Sequence, residues 1–291
     1  MLELILGYIF LISRIITLGS ERIFLKLLKD IDSFVVSSLF FLTAAVFLSP
    51  LFFFLPPSVW NLSLLQVGLI LGISTFYAVG FYTYVKALSV ADTSLIAPLY
   101  NSSLLWLLVL GSIFLSENVG IIRIVGGILM IIGVFYLYPG SFAEKIDAIK
   151  SSEGTKYMLL GSLFLAVGRT VDSYLINQLN TNVYLYAFLS NFLIGFYLLL
   201  IVLSRGKLSI GKEIIHHHPK IFFVGSLLTG WSYVFLLSAF RLLDVTIAEP
   251  LTLLSVFVTA ALAKILLDED VKERLAGMII MVIGAVLLVI S

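Results

Sequence analysis

Long apolar stretches follow one another along the chain and are separated by short polar breaks. Each stretch holds about 20 residues or more, the length that a helix needs to cross a hydrocarbon core of roughly 30 Å. In lipid every backbone amide must be bonded within the protein, so only helices or closed barrels span a membrane. These stretches are too long and too continuous for barrel strands. The pattern therefore predicts an all-α integral membrane protein.

The apolar stretches predict ten transmembrane helices, at residues 3–24, 33–55, 64–88, 93–115, 120–139, 155–178, 183–204, 220–242, 246–267 and 272–290. The charged connection 141–156 carries Phe142, Ile146 and Ile149 at helical spacing, so it is either a short helix lying in the membrane interface or a solvated linker. A second polar stretch, 205–220, contains glycine and proline residues and predicts a loop. No segment is left for a sizeable soluble domain.

Three residues of the first half recur 152 positions later, where Asp92, Pro98 and Glu117 correspond to Asp244, Pro250 and Glu269. Each copy reads as an apolar helix with an acidic turn at its end, a second helix with proline near its start, and a glutamate at the far end. The chain therefore divides into a five-helix repeat at 3–139, a linker at 140–154 and a second five-helix repeat at 155–290. Because five is odd, the second repeat must lie inverted relative to the first.

Lysine and arginine are concentrated in alternate loops, as an inverted repeat requires. The odd-numbered loops hold nearly all of them: Lys26, Lys29, Lys145, Lys150, Arg205, Lys207, Lys212, Lys220, Lys272 and Arg274. The opposite loops hold little beyond Arg123 and Arg241. The positive-inside rule then places the odd-numbered loops in the cytoplasm and both termini outside. The first stretch lacks a basic leader and a small-residue cleavage site, so we expect it to be retained as a span.

Composition agrees with a multi-pass protein of the cell membrane, since 60% of the residues are hydrophobic and only 12% are charged. The net charge is +1 and the basic residues are dispersed, so the sequence does not indicate nucleic-acid binding. The chain has no cysteine, which excludes disulfides and cysteine nucleophiles. The consecutive His216, His217 and His218 cannot all face one metal ion. We therefore expect no metal and no cofactor.

Two stretches of the second half carry a family resemblance: AFRLLDVTIAEPL at 239–251, and LDE at 267–269 followed by the glycine-spaced helix at 277–284. The pattern is similar to the second repeat of the ten-helix, EamA-type members of the drug/metabolite transporter superfamily. Residues 87–99, 115–117 and 126–133 repeat it in the first half. The resemblance covers the whole chain in architecture, but residues match only in helices three to five and eight to ten. It implies a transporter of small metabolites.

The chain departs from the family pattern in three ways. The first helix lacks the tryptophan-glycine pair that is common in the family, and the second lacks the usual arginine, with Ser37 and Ser38 in that neighbourhood. Family members also commonly have both termini inside, whereas the loop charges here predict the reverse. The direction of transport is therefore open.

Arginines near the middle of predicted spans are the first candidates for a substrate site, because such transporters bind cargo near the membrane midplane. Arg14 and Arg169 each lie near the centre of the first helix of a repeat. An arginine there costs from about 3 to over 10 kcal/mol, so it must face water, a partner or an anionic ligand. Asp172 follows Arg169 by three residues and can pair with it on one helix face. Asp172 then serves either as a structural partner or in substrate or proton binding.

Glu249 is the candidate for proton coupling. It precedes Pro250, which removes a backbone donor and weakens the helix. A carboxylate in such a low-dielectric position can load and release a proton at physiological pH. The alternative is an acid near a helix N-terminus that the helix dipole stabilises.

Five further residues complete the predicted substrate site: Asn101, Asn191, Tyr77, Trp231 and Tyr233. The two amides either bind substrate or form hydrogen bonds between helices. The three aromatic residues either line the cavity or serve as packing and interface anchors.

Glycines in the last predicted helix of each repeat suit close packing of those helices or a homodimer face; they are Gly126, Gly127, Gly133, Gly277 and Gly284. The glutamates of the repeated frame, Glu117 and Glu269, are expected to end their helices in water.

The leading functional hypothesis is a secondary transporter that works by alternating access, with a small organic metabolite such as an amino acid as cargo and a proton gradient as driver. The alternative is an exchanger of organic phosphates or carboxylates bound by Arg14 and Arg169. A channel or receptor is a third class. A membrane-embedded enzyme is remote, because the sequence has no HExxH, GxSxG or GxxxxGK[ST] motif.

Overall fold

The computed structural model describes residues 2–28, 31–90, 97–136, 141–267 and 275–291, and within them all regular secondary structure is helical. The α-helices are α1 (Leu2–Lys26), α2 (Ser33–Leu48), α3 (Leu64–Val90), α4 (Ser103–Phe114), α5 (Ile121–Tyr136), α6 (Phe142–Ser151), α7 (Gly154–Asn177), α8 (Val183–Ser204), α9 (Leu208–His217), α10 (Pro219–Phe240), α11 (Val245–Leu251), α12 (Ser255–Leu267) and α13 (Leu275–Ile290). Short 3₁₀ segments lie at Ser49–Phe54, Pro57–Trp60, Ala97–Ser102 and Thr252–Leu254. The predicted all-α class is confirmed.

Within the described residues, seven helical stretches are long and apolar enough to cross a membrane: Leu2–Leu25, Ser33–Phe54, Leu64–Ala87, Gly154–Asn177, Val183–Ser204, Pro219–Phe240 and Val245–Leu266. Three shorter apolar helices lie at Leu99–Phe114, Ile121–Tyr136 and Ala276–Ile290. The chain is a multi-pass membrane protein.

The chain forms two compact units, and each unit combines a segment from the first half of the sequence with one from the second half. The first unit comprises Met1–Ala78 and Asp172–Leu243, and the second comprises Val79–Val171 and Asp244–Ser291. Helices α3 and α7 each contribute residues to both units.

In the first unit α1 packs against α10, and α2 packs against α8 and α10. Asp32, the N-cap residue of α2, accepts a 2.5 Å hydrogen bond from Lys207 in the α8–α9 connection. Gln66, in the first turn of α3, donates to Thr181 in the α7–α8 connection over 2.9 Å. The α1–α2 and α8–α9 connections thus meet at one end of the unit, and the α2–α3 and α7–α8 connections meet at another.

In the second unit α5 and α13 pack closely through glycines. A Cβ atom built on Gly126 would lie 3.0 Å from the carbonyl oxygen of Gly284, and one built on Gly133 would lie 2.8 Å from that of Gly277. Neither position has room for a side chain. Of the two predicted uses of these glycines, packing of α5 against α13 is the one that the structure shows.

The predicted loop at 205–220 is wrong, because most of it forms helix α9. Two of the three residues that suggested a loop, Gly206 and Pro219, lie at its ends. Gly206 has a positive φ of 66° and turns the chain after α8, while Pro219 occupies the first turn of α10, where its missing N–H has no cost. The third, Gly211, lies inside α9, where a single glycine weakens a helix without breaking it.

The connection predicted as a helix or a linker is helical over Phe142–Ser151, with a capping box at its start. Ser141 Oγ accepts from the backbone N–H of Glu144, and the Glu144 carboxylate accepts from the backbone N–H of Ser141. Of the repeated frame, Asp92 and Glu269 lie outside the described residues, as does the side chain of Pro98.

The span predicted at 246–267 is interrupted near its start. Helix α11 contains Pro250, which cannot donate to the carbonyl of Thr246, and the 3₁₀ segment Thr252–Leu254 follows before α12 begins. The predicted weak point beside Glu249 is confirmed as a break in the regular helix.

Candidate functional site

The predicted site residues fall into both compact units. The first unit holds Arg14, Tyr77, Asp172, Asn191, Trp231 and Tyr233. The second holds Asn101, Arg169 and Glu249.

In the first unit a buried carboxylate binds tyrosines from two other helices. Asp172 on α7 is 0% exposed. Its two carboxylate oxygens accept hydrogen bonds from the hydroxyl of Tyr77 on α3, at 2.6 Å, and from that of Tyr186 on α8, at 2.5 Å. The ring of Tyr186 lies 6.3 Å from that of Tyr233 on α10. These four residues, here called the Asp172 cluster, join helices α3, α7, α8 and α10.

Three buried polar atoms on helices α3 and α8, which contribute to the Asp172 cluster, have no hydrogen-bond partner. Ser74 lies one turn before Tyr77 on α3, and Ser190 lies one turn after Tyr186 on α8; both side chains are fully buried with unpartnered Oγ atoms. Asn191 uses its Nδ2 atom to donate to the carbonyl of Ala187 on its own helix, and its Oδ1 atom is buried without a partner. This hydrogen bond of the Asn191 amide lies within α8.

Helices α1 and α10 are joined by two polar contacts. Arg14 donates to Ser232 Oγ over 2.5 Å, and Thr229 Oγ1 donates to the carboxylate of Glu21 over 2.8 Å. Arg14 and Glu21 lie seven residues apart, about two turns, so they share a face of α1. Arg14 was predicted as a site residue, whereas Glu21 was not. Its spacing from Arg14, within an apolar stretch, is the signal that would have found it.

The remaining aromatic candidate of the first unit, Trp231, is half-buried and packs against Phe235 on its own helix, with ring centroids 5.8 Å apart. An open depression of about 240 Å³ also lies in this unit, lined by Phe10, Tyr184, Arg241 and four neighbouring residues. None of the predicted site residues lines it.

In the second unit Arg169 on α7 pairs with Glu249 on α11. Arg169 Nε lies 3.1 Å from Glu249 Oε1, and the two side chains are 11% and 10% exposed. The other carboxylate oxygen, Glu249 Oε2, is buried without a hydrogen-bond partner. Tyr100 is close enough to interact electrostatically with both charges, and its ring lies 4.9 Å from that of Tyr84. Both members of this pair were predicted as site residues, but their contact with each other was not predicted.

Asn101 lies half-buried in the 3₁₀ segment Ala97–Ser102 of the second unit. Its neighbour Ser102 donates to Ser162 Oγ on α7 over 2.9 Å. This part of the second unit thus carries a polar contact that the sequence analysis did not name.

The expectation that Glu117 ends its helix in water is wrong, because Glu117 caps the start of α11. It accepts from the backbone N–H groups of Val245, at 2.8 Å, and Thr246, at 3.0 Å, and from the Thr246 hydroxyl. Burial raises the pKa of Glu117 above its ordinary value, although the hydrogen bonds from Thr246 and Val245 oppose the shift. Glu117 satisfies two backbone donors that the helix cannot satisfy itself.

Arg123, predicted as a loop charge, is buried in α5. Its guanidinium lies 2.8 Å from the carboxylate of Asp244 and donates to Thr246 Oγ1 over 2.9 Å. With Glu117 it anchors the start of α11. These two residues of the repeated frame, Glu117 and Asp244, are therefore scaffold for the helix that carries Glu249.

A multi-pass helical chain with buried charged pairs inside its spans has the features of a membrane transporter. The sequence profile of the EamA-like transporter family matches residues 5–138 and again residues 153–291, so the chain belongs to this family. The resemblance seen in the sequence is confirmed. No curated protein matches the sequence.

One chain of a solved crystal structure matches the fold with a TM-score of 0.73, at 10% sequence identity, over 98% of this chain and 96% of that chain. At so low an identity the likeness concerns the fold alone.

Proposed function

We propose that this protein is a secondary active transporter that moves a small organic metabolite across the cell membrane by alternating access. The EamA-like family, whose members are typically transporters of small molecules rather than enzymes, supports this proposal. The observation that carries it furthest is the buried Arg169–Glu249 pair, because a titratable carboxylate with an unpartnered oxygen beside a helix break is suited to gating and coupling.

The proposed architecture is ten spans arranged as two inverted five-helix repeats. The double match of the family profile supports the repeat, and the three shorter apolar helices would raise the seven long spans to ten. The contacts Asp32–Lys207 and Gln66–Thr181 support alternate placement of the loops, because each joins connections that the topology puts on one membrane face. Rocking of one repeat against the other would then expose the site to each side in turn.

The balance of buried charge favours a zwitterionic cargo such as an amino acid. The first unit holds buried Arg14, with Glu21 on the same face of α1, and buried Asp172, and the second holds the pair of Arg169 and Glu249. Each central arginine therefore has a carboxylate within its own unit. An exchanger of organic phosphates or dicarboxylates, the alternative at Arg14 and Arg169, would need a surplus of positive charge at the site.

Proton coupling is assigned to Glu249. Arg169 pairs with Glu249, and Tyr100 lies close enough to interact electrostatically with both. When Glu249 takes up a proton, it loses the charge that pairs with Arg169, which strengthens the attraction of that guanidinium for a substrate carboxylate. Proton and substrate then bind together rather than in competition, which makes the two fluxes travel in the same direction.

The experiment combines a thermal-shift screen of the purified protein against a metabolite library with flux of the best ligand in proteoliposomes. A pH gradient should drive concentrative uptake by the wild type. Glu249→Gln should still exchange substrate but should lose concentrative uptake, because its side chain can no longer carry the proton. Arg14→Ala and Arg169→Ala should each lower flux by at least tenfold.

Arg241→Ala, which removes an exposed arginine, is the matched control and should transport like the wild type. Wild-type flux in both central arginine variants would overturn the assignment of the substrate site. A Glu249→Gln variant that still concentrates its cargo in response to a pH gradient would overturn the assignment of the coupling residue.

A further inference from the structure

We propose that helix α9 lies in the membrane interface and that its exposed surface binds the headgroup of an anionic phospholipid. This surface, here called the α9 surface, comprises exposed side chains of α9 and of the ends of the two spans that it connects: Leu203, Arg205, Leu208, Ile215, Lys220 and Phe223. The proposal goes beyond transport, because the α9 surface contains none of the residues assigned to the substrate site.

The position of α9 follows from the helices beside it. It connects the end of span α8 to the start of span α10, so it lies at the level where the chain leaves the hydrocarbon core. One face of α9 packs on α2. Ile214 is fully buried, and a Cβ atom built on Gly211 would lie 3.2 Å from Leu39 Cδ1 on α2. This packing fixes which side of α9 is turned away from the protein.

Apolar side chains continue onto the exposed side of α9. Leu208 is 50% exposed and Ile215 is 43% exposed, and their spacing of seven residues, about two turns, places them on one side of the helix. Exposed Leu203, in the last turn of α8, and exposed Phe223, near the start of α10, precede and follow them in the chain. Such side chains are stabilised where headgroups meet acyl chains. The apolar part of the α9 surface therefore fits a bilayer better than water.

The same surface carries positive charge. Residues 205–220 contain four lysines and arginines and one glutamate, a surplus of three positive charges. Arg205 at the end of α8 and Lys220 at the start of α10 are both exposed, as are the three histidines at 216–218. Lysine and arginine at the membrane surface attract anionic headgroups, and their N–H groups donate to phosphate oxygens. The charge of the α9 surface is therefore complementary to an anionic lipid.

Two contacts hold the basic residues that precede α9. The Arg205 guanidinium lies 4.4 Å from the centroid of the Phe34 ring on α2, and Lys207 Nζ lies 2.5 Å from the carboxylate of Asp32. A phenylalanine ring has no net charge, so it positions Arg205 without neutralising it, whereas Asp32 neutralises Lys207. We therefore assign the headgroup to Arg205 and Lys220.

The combination of apolar and basic side chains selects one class of partner. An inorganic anion such as phosphate would meet the cations but would leave Leu208 and Ile215 exposed to water. A lipid without net charge, such as phosphatidylcholine, would cover the apolar side chains but would not balance the charge of Arg205 and Lys220. An anionic phospholipid does both.

The first test measures binding to the purified full-length protein by calorimetry. The probes are short-chain phosphatidylglycerol, short-chain phosphatidylcholine with the same acyl chains, and inorganic phosphate. One basic residue near a membrane surface strengthens the binding of an anionic lipid about fivefold. With two such residues, the wild type should bind phosphatidylglycerol at least tenfold more tightly than either of the other probes.

The double variant Arg205→Gln, Lys220→Gln should bind the two lipids with nearly equal affinity, because it keeps the apolar side chains and loses both charges. Arg241→Gln is the matched control, since Arg241 is exposed at the opposite end of α10 from Lys220, and it should keep the preference of the wild type. Partial misfolding would change the affinity for both lipids together, so the ratio of the two affinities is the deciding quantity.

The second test locates α9 relative to the bilayer. Because the chain has no cysteine, Ile215→Cys and Ser209→Cys can each carry one fluorescent label. Both positions are exposed, but they lie about 120° apart around the helix. In nanodiscs, a quencher attached to the lipid just below its headgroup should quench the label at 215 at least twofold more than the label at 209. Aqueous iodide should quench them in the reverse order.

Four results of the binding test would overturn the headgroup site: equal affinities of the wild type for the two lipids, an unchanged preference in the double variant, an equal loss in Arg241→Gln, or phosphate binding as tight as that of phosphatidylglycerol. Stronger quenching of the label at 215 by iodide than by lipid would overturn the placement of α9 in the interface. Protection of that label from both quenchers would indicate a protein partner and would overturn the lipid as occupant.

Discussion

Asp32 shows how a single side chain can hold both a helix start and a distant loop. Its carboxylate accepts from the backbone N–H groups of Phe34 and Val35, at 3.0 and 3.3 Å, and from Lys207 Nζ. Burial alone would raise the pKa of Asp32, but the hydrogen bonds from Lys207, Phe34 and Val35 outweigh it and hold the pKa below its ordinary value.

This shift predicts that Asp32 makes the protein more sensitive to acid. In the unfolded chain Asp32 has its ordinary pKa and takes up a proton first, so the unfolded state binds more protons in the window between the two pKa values. The contribution of Asp32 to stability is therefore present above that window and lost as the pH falls through it. Melting temperatures measured from pH 7 to pH 3 should decline more steeply for the wild type than for Asp32→Asn.

At pH 7 Asp32→Asn should unfold at a lower temperature than the wild type, and the two curves should converge in acid. Glu153→Gln, which changes an exposed carboxylate, is the control and should leave the curve unchanged. Parallel melting curves for Asp32→Asn and the wild type from pH 7 to pH 3 would show that the lowered pKa of Asp32 does not contribute to stability.

The sequence revealed which residues are chemically unusual but not what they bind. Arg14, Arg169, Asp172 and Glu249 stand out because charge within an apolar span is costly. Their partners come from other helices that are distant in the chain: 218 residues separate Arg14 from Ser232, and 80 separate Arg169 from Glu249. Periodicity within one helix carries no information on such pairs.

At the scale of elements, the contact between α5 and α13 depends on the absence of side chains. A Cβ atom on Gly133 would lie 2.4 Å from Met281 Cγ and 2.9 Å from the backbone nitrogen of Met281. Backbone atoms cannot move aside as a flexible side chain can. Close approach of this kind is a main source of helix association in lipid, where burial of apolar surface gives little driving force.

Gly133→Leu should therefore separate α5 from α13 and lower the melting temperature of the purified protein by several degrees or prevent its folding. Gly72→Leu is the matched control in another apolar helix, because a Cβ at Gly72 meets nothing within 4 Å. The measurement is the yield of monodisperse protein and its thermal unfolding in detergent. Equal stability of the two variants would show that the glycine contact contributes nothing.

Long apolar runs predict helices well because membrane crossing imposes both their length and their composition. Amphipathic and interrupted elements were harder. The prediction of a loop over α9 is wrong because Gly206 and Pro219 act only at the ends of the helix, and the interior Gly211 does not break it. The break after Pro250 was foreseen, since the missing N–H of proline is a local property.

At the scale of the whole molecule, the loop charges predict an orientation that can be tested directly. Ser141 and Ser58 are exposed, and the predicted topology puts Ser141 in the cytoplasm and Ser58 outside. Because the chain has no cysteine, Ser141→Cys and Ser58→Cys each provide one reactive site. In intact cells a membrane-impermeant maleimide should label Ser58→Cys and should reach Ser141→Cys only after lysis.

Protection of Ser58→Cys together with labelling of Ser141→Cys in intact cells would reverse the predicted orientation. Labelling of both Ser58→Cys and Ser141→Cys in intact cells would contradict the prediction that their loops lie on opposite faces of the membrane. Lysed cells, in which both sites should react, are the control for accessibility.

The two interleaved units also have a consequence for how the protein is made. The first unit needs residues as late as Leu243, and the second needs residues up to the end of the chain, so neither unit is complete when only the first half has left the ribosome. Helices of the first half must wait in the bilayer with Arg14 and Arg123 still lacking their later partners Ser232 and Asp244. The two units can therefore pack only late in synthesis. The intermediate that most needs protection by the insertion machinery is the chain in which only the first half has been inserted.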